Sequence, residues 1–226
     1  MSIKKYICFT IPLSAAGIWI VWCVRSKGRK NPDFLSWQQF YASKYGELKA
    51  RILIEQVRQN YFRLLTERAL PENPILRRHT TENILPGLAL YQVLRKDLDQ
   101  AAALAEVDQF LRVSTLKRNR FLVLLKFLPD SFWLVKIVMG SMMKSYPPEG
   151  WDFEYIEKSQ ERIAFNATRC FYLNTLTAYG APELTASFCK TDDVMAELFP
   201  PSIRFIRPRT LGRGDEICDF QYCHVK

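Results

Sequence analysis

Pro147-Pro-Glu-Gly-Trp-Asp-Phe-Glu-Tyr-Ile156 divides this chain in two. The first four residues make a turn. From Trp151 onward apolar and polar residues alternate with period two, as in a half-buried strand. Residues 162–168 read as a second strand, and residues 203–207 and 217–225 as two more around the Gly212/Gly214 turn. Short helical pieces are expected between them: 170–179 closed by Gly180, 183–189, and 193–198 stopped by Pro200-Pro201. Before the turn the period is helical. Residues 34–69 carry Phe40, Tyr45, Leu48, Ile52, Val57, Phe62 and Leu65 as one long amphipathic helix or two in tandem, ended by Pro71-Glu-Asn-Pro74. Thr80/Thr81 cap a helix bearing Ile84, Leu88, Tyr91 and Leu94; further helices are expected over 99–111 and 115–128. Residues 131–143 are strongly apolar but short and interrupted by Lys136, so they read as a core helix or a pocket wall. Helices followed by an antiparallel sheet with inserted short helices make an α+β fold.

The N-terminus adds a different signal. Residues 6–24, YICFTIPLSAAGIWIVWCV, hold no charge; at 1.5 Å per residue they reach about 28 Å as a helix, close to a hydrocarbon core. Trp19 and Trp22 suit the interface, and Arg25, Lys27, Arg29 and Lys30 follow within six positions. The expectation is a transmembrane helix, with the basic flank and the globular part in the cytosol. A cleaved signal peptide is the rival. The chain would then comprise an anchor and basic linker (1–30), an amphipathic helical extension (31–80) and an α+β domain (81–226). Cytosolic thiols stay reduced, which argues against a disulfide framework.

Composition sets outer bounds. At 226 residues, 48% hydrophobic and 13% aromatic, the chain can bury a sizeable core. Its net charge of +9 includes a second basic cluster at Arg112, Lys117, Arg118 and Arg120. No nucleic-acid motif accompanies these clusters, so solvation or a membrane surface accounts for them, and a nucleic-acid partner is not expected.

The chemistry concentrates at the C-terminal end. Cys170, Cys189, Cys218 and Cys223 lie there, with Asp192 and Asp193 after Cys189 and Asp215 and Asp219 around Cys218. Cys170 follows Arg169 and opens a helix, two aids to a reactive thiolate. Cys189 sits late in its helix, where the dipole opposes a thiolate, and acids flank Cys218. Asp192, Asp193, Asp215, Asp219 and Glu183 are candidates for acid–base work if burial raises their pKa. Asp192 could equally cap a helix, Asp215 hold a turn, and His224 fray at the terminus. Cys218, Cys223 and His224 lack zinc spacing, and no GxGxxG or P-loop is present, so neither metal nor cofactor is expected.

Several pieces in order carry a resemblance: Leu85-Pro-Gly-Leu-Ala-Leu-Tyr91, Phe165-Asn-Ala-Thr-Arg-Cys170, Gly180-Ala-Pro-Glu-Leu184, Phe188-Cys-Lys-Thr-Asp192, Thr210-Leu-Gly-Arg-Gly-Asp215 and Cys218-Asp-Phe220. Over roughly residues 83–222 the chain resembles the L-2-amino-thiazoline-4-carboxylic acid hydrolase-like family. The resemblance implies hydrolysis at an amidine-like carbon, with the Cys170/Cys189/Cys218 set and its acids lining the site. Residues before 80 and the Gln221-Tyr-Cys-His224 ending depart from a plain member and point to a lipophilic, pathway-specific substrate, as in specialised metabolism. Two other functions fit the same scaffold. One is a ring-closing enzyme for a terpenoid or polyketide precursor, relying on Trp151, Phe153, Tyr172 and Phe220. The other is a tethered small-molecule binding protein.

Overall fold

The computed structural model describes residues 7–13, 18–24, 32–128 and 130–225. It divides into two compact units, Met1–Pro32 and Asp33–Lys226. In the first, β1 (Ile7–Leu13) pairs antiparallel with β2 (Ile18–Val24), with Ile7 opposite Val24 and Leu13 opposite Ile18. This corrects the expected transmembrane helix over residues 6–24. No helix among the described residues is long and apolar enough to cross a membrane, so the single-pass, cytosol-facing placement has no helix to carry it. The physical reason lies in residue type. Ile7, Thr10, Ile11, Ile18, Ile20, Val21 and Val24 are β-branched, and Pro12 cannot donate a helical hydrogen bond. Length and hydropathy do not separate one helix from two strands. The basic linker lies outside the described residues, apart from Pro32.

The second unit begins with α1 (Phe34–Tyr45) and α2 (Glu47–Glu67), the tandem pair. Asp33 caps α1 by accepting from the Ser36 N–H. On α2, Ala50, Ile54, Val57, Tyr61 and Leu64 are buried, a stripe at helical spacing that packs against α1 and against α4 (Leu85–Leu94). Asn73 and Pro74 start α3 (Pro74–His79), which widens into a single π-helical turn, Thr80–Ile84, before α4. Pro86 explains the widening. It has no N–H, and its ring would collide with an α-helical carbonyl one turn back. The Leu85 N–H reaches Thr80 O instead, and the Thr81 carbonyl accepts from the Tyr61 hydroxyl at 3.1 Å.

The helices expected at 99–111 and 115–128 are one helix, α5 (Gln100–Asn119), followed by a tighter 3-10 segment, Arg120–Phe127. Arg112, Val113 and Ser114 between the two expected pieces contain no breaker. Next, α6 (Ser131–Ser145) turns Phe132, Val135, Met139 and Met143 inward.

These side chains cover one face of a four-stranded antiparallel sheet of order β3-β4-β6-β5: β3 (Trp151–Lys158), β4 (Arg162–Cys170), β5 (Ile203–Ile206) and β6 (Cys218–His224). Ile163, Phe165, Ile203 and Tyr222 complete this second core. Inserted between β4 and β5 are α7 (Phe171–Ala178), a 3-10 turn at Pro182–Leu184 and α8 (Thr185–Ala196). The two pieces expected at 183–189 and 193–198 therefore form one helix with Asp192 inside it, not at a cap. Gly87 is where α8 meets α4: a Cβ there would lie 2.6 Å from Phe188 Cζ. The expected α+β order, helices first and then a small antiparallel sheet, is the observed one.

Candidate functional site

Strand alternation sorts the sheet residues by face. Trp151 lies opposite Cys170, Phe153 and Cys218 opposite Ala167, Phe220 opposite Phe165, and Phe205 opposite Tyr222. All share the α6 side. Asp219, opposite Asn166, is on the other side. There it accepts from the Arg209 N–H at 2.7 Å and from Arg209 Nε at 3.0 Å, away from its neighbour Cys218.

Cys170 ends β4 and precedes α7. Burial pushes its thiol up to about 11; the N–H groups of Leu173 and Tyr172 pull the other way, while Cys189 and Cys218 add to the rise. The reactive thiolate expected from Arg169 is not the resting form. The Arg169 guanidinium donates instead to the Pro148 carbonyl at 3.0 Å.

Cys189 on α8 and Cys218 on β6 meet at Thr210. The Thr210 hydroxyl donates to Cys189 Sγ at 3.2 Å and accepts from Cys218 Sγ at 3.6 Å. The Leu211 N–H donates to Cys218 Sγ at 3.3 Å. Burial pushes the Cys189 thiol up, against the Thr210 hydrogen bond and the Arg207 charge. Only glycine fits at 212, because a Cβ would lie 2.8 Å from Cys189 Sγ. Asp215 holds this turn by accepting from the Thr210 N–H at 2.7 Å.

One helical turn beyond Cys189 stands Asp192. Arg207 donates to Asp192 at 2.7 Å, to Asp193 at 2.9 Å and to the Cys189 carbonyl at 2.8 Å. Its guanidinium lies over the rings of Phe205 and Phe220, at 5.7 and 5.2 Å. The Arg207 side chain is 3% exposed, whereas Asp192 keeps 39% of its side-chain surface. Even so, desolvation raises the Asp192 carboxyl despite the opposing Arg207 charge. The two facts fit a carboxylate that is partly open to solvent yet surrounded by protein atoms. Its charge is felt at Tyr146, Tyr172 and Tyr222, whose hydroxyls burial pushes up.

His79 closes the far side. Its Nδ1 lies 3.0 Å from the Tyr172 hydroxyl, and its ring meets Trp151 at 5.0 Å and Tyr146 at 5.7 Å. Burial, helped by Arg78, pushes the imidazole down to about 4, so it is neutral at pH 7.

The structure thus brings Cys170, Cys189, Cys218 and Asp192 into one neighbourhood, keeps Asp215 as its turn holder and leaves Asp219 on the opposite face. Glu183 accepts from the Tyr91 hydroxyl at 2.6 Å, and His224 stacks on Phe132 at 5.2 Å. His79, Tyr146, Arg207 and Thr210 were not singled out from the sequence. Arg207 offered one signal, a cation directly after an alternating strand. His79 offered none, because it follows two arginines on a short polar helix. Among the described residues, no three His, Cys, Asp or Glu side chains group closely enough to hold a metal ion.

A search of curated proteins finds no match. Among solved structures, the Fe(II) unliganded H-NOX protein from K. algicida is similar at 16% identity and a TM-score of 0.37, covering 85% of this chain and 95% of that one. An H-NOX protein from S. oneidensis in the Fe(II)NO state gives 13% identity and a TM-score of 0.37, covering 85% of this chain and 97% of that one. Overlaps this loose define neither a shared site nor a shared ligand. The family comparison is decisive: residues 77–222 match the model for L-2-amino-thiazoline-4-carboxylic acid hydrolase, and the chain belongs to that family.

Proposed function

We propose that this chain is a small-molecule hydrolase acting at an amidine-like C–N centre of a substrate with an apolar body, with Asp192 as its acid–base group. The environment of Asp192 carries this reading: a partly accessible carboxylate raised by desolvation and held by a buried arginine. Such a carboxylate can take a proton from attacking water and return it to the leaving atom. Arg207 fixes its direction. Trp151, Phe153, Tyr172 and Phe220 suit a flat apolar substrate, and the side chains of Cys170, Cys189 and Cys218 lie beside them.

A second reading makes Cys170 the nucleophile. Its favouring observation is the pair of N–H groups, of Tyr172 and Leu173, that stabilise its thiolate. The two readings separate in one assay. A panel of 2-aminothiazolines and related C–N heterocycles, with and without apolar substituents, is offered to wild type, Asp192→Asn and Cys170→Ser. In the Asp192 reading, the first variant loses about 10²–10⁴ in turnover while the second stays within about tenfold of wild type. The reverse pattern transfers the chemistry to Cys170. Labelled water adds a third arm: a product that gains no oxygen from water identifies ring closure over the same aromatic wall.

A further inference from the structure

The expectation that the thiols stay reduced depended on a cytosol-facing anchor. Without that helix, the thiols are judged on their geometry. Cys189 and Cys218 share one hydroxyl, Thr210 Oγ1, at 3.2 and 3.6 Å, so their sulfurs are no more than about 7 Å apart. A disulfide requires the Thr210 side chain to leave the gap and the two sulfurs to close to about 2 Å, with their Cα atoms within about 7 Å. Cys218 is buried, whereas Cys189 is only partly buried. An oxidant therefore reaches one thiol first and leaves the other as its resolving partner.

We propose that Cys189 and Cys218 are a modification site, forming a reversible disulfide with a peroxide as oxidant. The Cys189 sulfur attacks the peroxide O–O bond, giving a sulfenic acid and one water. The Cys218 sulfur then attacks the Cys189 sulfur. The S–S bond forms, the S–O bond breaks, and the oxygen leaves as a second water with the Cys218 proton. Two thiols and one peroxide give one disulfide and two waters. The Leu211 N–H donates to Cys218 Sγ and holds that sulfur in place for the second step. The bond would tie α8 to β6 and displace Thr210, taking the site out of use. This inference rests on the site's geometry and not on the proposed hydrolysis, so either can fail without the other.

The test uses the full chain and hydrogen peroxide alone, read by intact mass and peptide mapping. The expected result is loss of two hydrogens per chain, a peptide joining residues 189 and 218, and full reversal by dithiothreitol. Cys218→Ser should accumulate a dimedone-trapped sulfenic acid on Cys189 at about tenfold the wild-type level. Cys223→Ser should still form the bond, because Cys223 lies opposite Arg162 and Arg204 on the other face of the sheet. A wild-type map in which Cys189 pairs with Cys170, or in which Cys189 goes to sulfinic acid with Cys218 still free, overturns the proposal whatever the variants do.

Discussion

Two apolar helical segments of this protein meet opposite fates. In α4 every residue but Gln92 is buried. In Arg120–Phe127, RFLVLLKF, none is, and Leu124 and Phe127 are 56% and 73% exposed. Both are mostly apolar, although the second carries Arg120 and Lys126. α4 has neighbours on several sides: α2 and α5 pack against it, and α8 approaches so closely that Gly87 must be glycine. The later segment follows the end of α5 in 3-10 geometry, whose side chains eclipse every third position and present no broad face to a core. Apolar content sets what a segment could bury, and its neighbours decide what it does bury.

The sharpest way to break this contrast is to truncate one leucine from each segment. Leu88→Ala should lower stability by about 2–5 kcal/mol in urea unfolding, and Leu124→Ala should change it by less than about 0.5 kcal/mol. Equal losses would mean that residues 120–127 are covered after all.

Acid attacks the entrance to α4 through His79. Its folded pKa of about 4 lies below the ordinary 6.5, so the unfolded chain takes up the proton first. The stabilisation is present above pH 6.5 and is lost as pH falls through 4, by up to roughly 3 kcal/mol. His79→Gln should flatten that part of the stability–pH curve while keeping a partner for Tyr172. An unchanged slope would show that other groups carry the acid sensitivity.

Gly87→Ala should cost about 1–3 kcal/mol, because Phe188 has to move. Gly140→Ala, on α6 with nothing within 4 Å of the new methyl, should instead raise stability by about 0.5–1 kcal/mol. A pair of thermal melts decides both.

The order of elements was legible because hydrophobic period separates helix from strand: Trp151, Phe153 and Tyr155 announced β3, while Asn73-Pro74, expected only to end a helix, also starts α3. The N-terminal hairpin was not, since an uncharged apolar run satisfies a membrane helix and a strand pair alike. No break separates Cys189 from Asp193, because Thr191 and Asp192, weak helix formers by themselves, are held in α8 by their tertiary contacts. The gathering of Cys170, Cys189 and Cys218 could be suspected from their family context alone. Their pairing through Thr210 depends on a contact across 21 positions that no local pattern encodes. Desolvation, set by the whole fold and not by Arg169, raises the Cys170 thiol against the expectation from its neighbours.

The π-helical turn at Thr80–Ile84 has a consequence for insertions and deletions. It holds one residue more than an α-helix would use, so a single-residue deletion there is the length change that restores ordinary helical phase. The wide turn absorbs that extra residue, so its loss would leave α3 close to its present phase. A further inserted residue, beyond what the turn holds, would instead swing α3 by about 100° about its axis relative to α4. His79 would then point away from Tyr172, Trp151 and Tyr146, which makes this turn a place where length, not residue identity, sets the geometry.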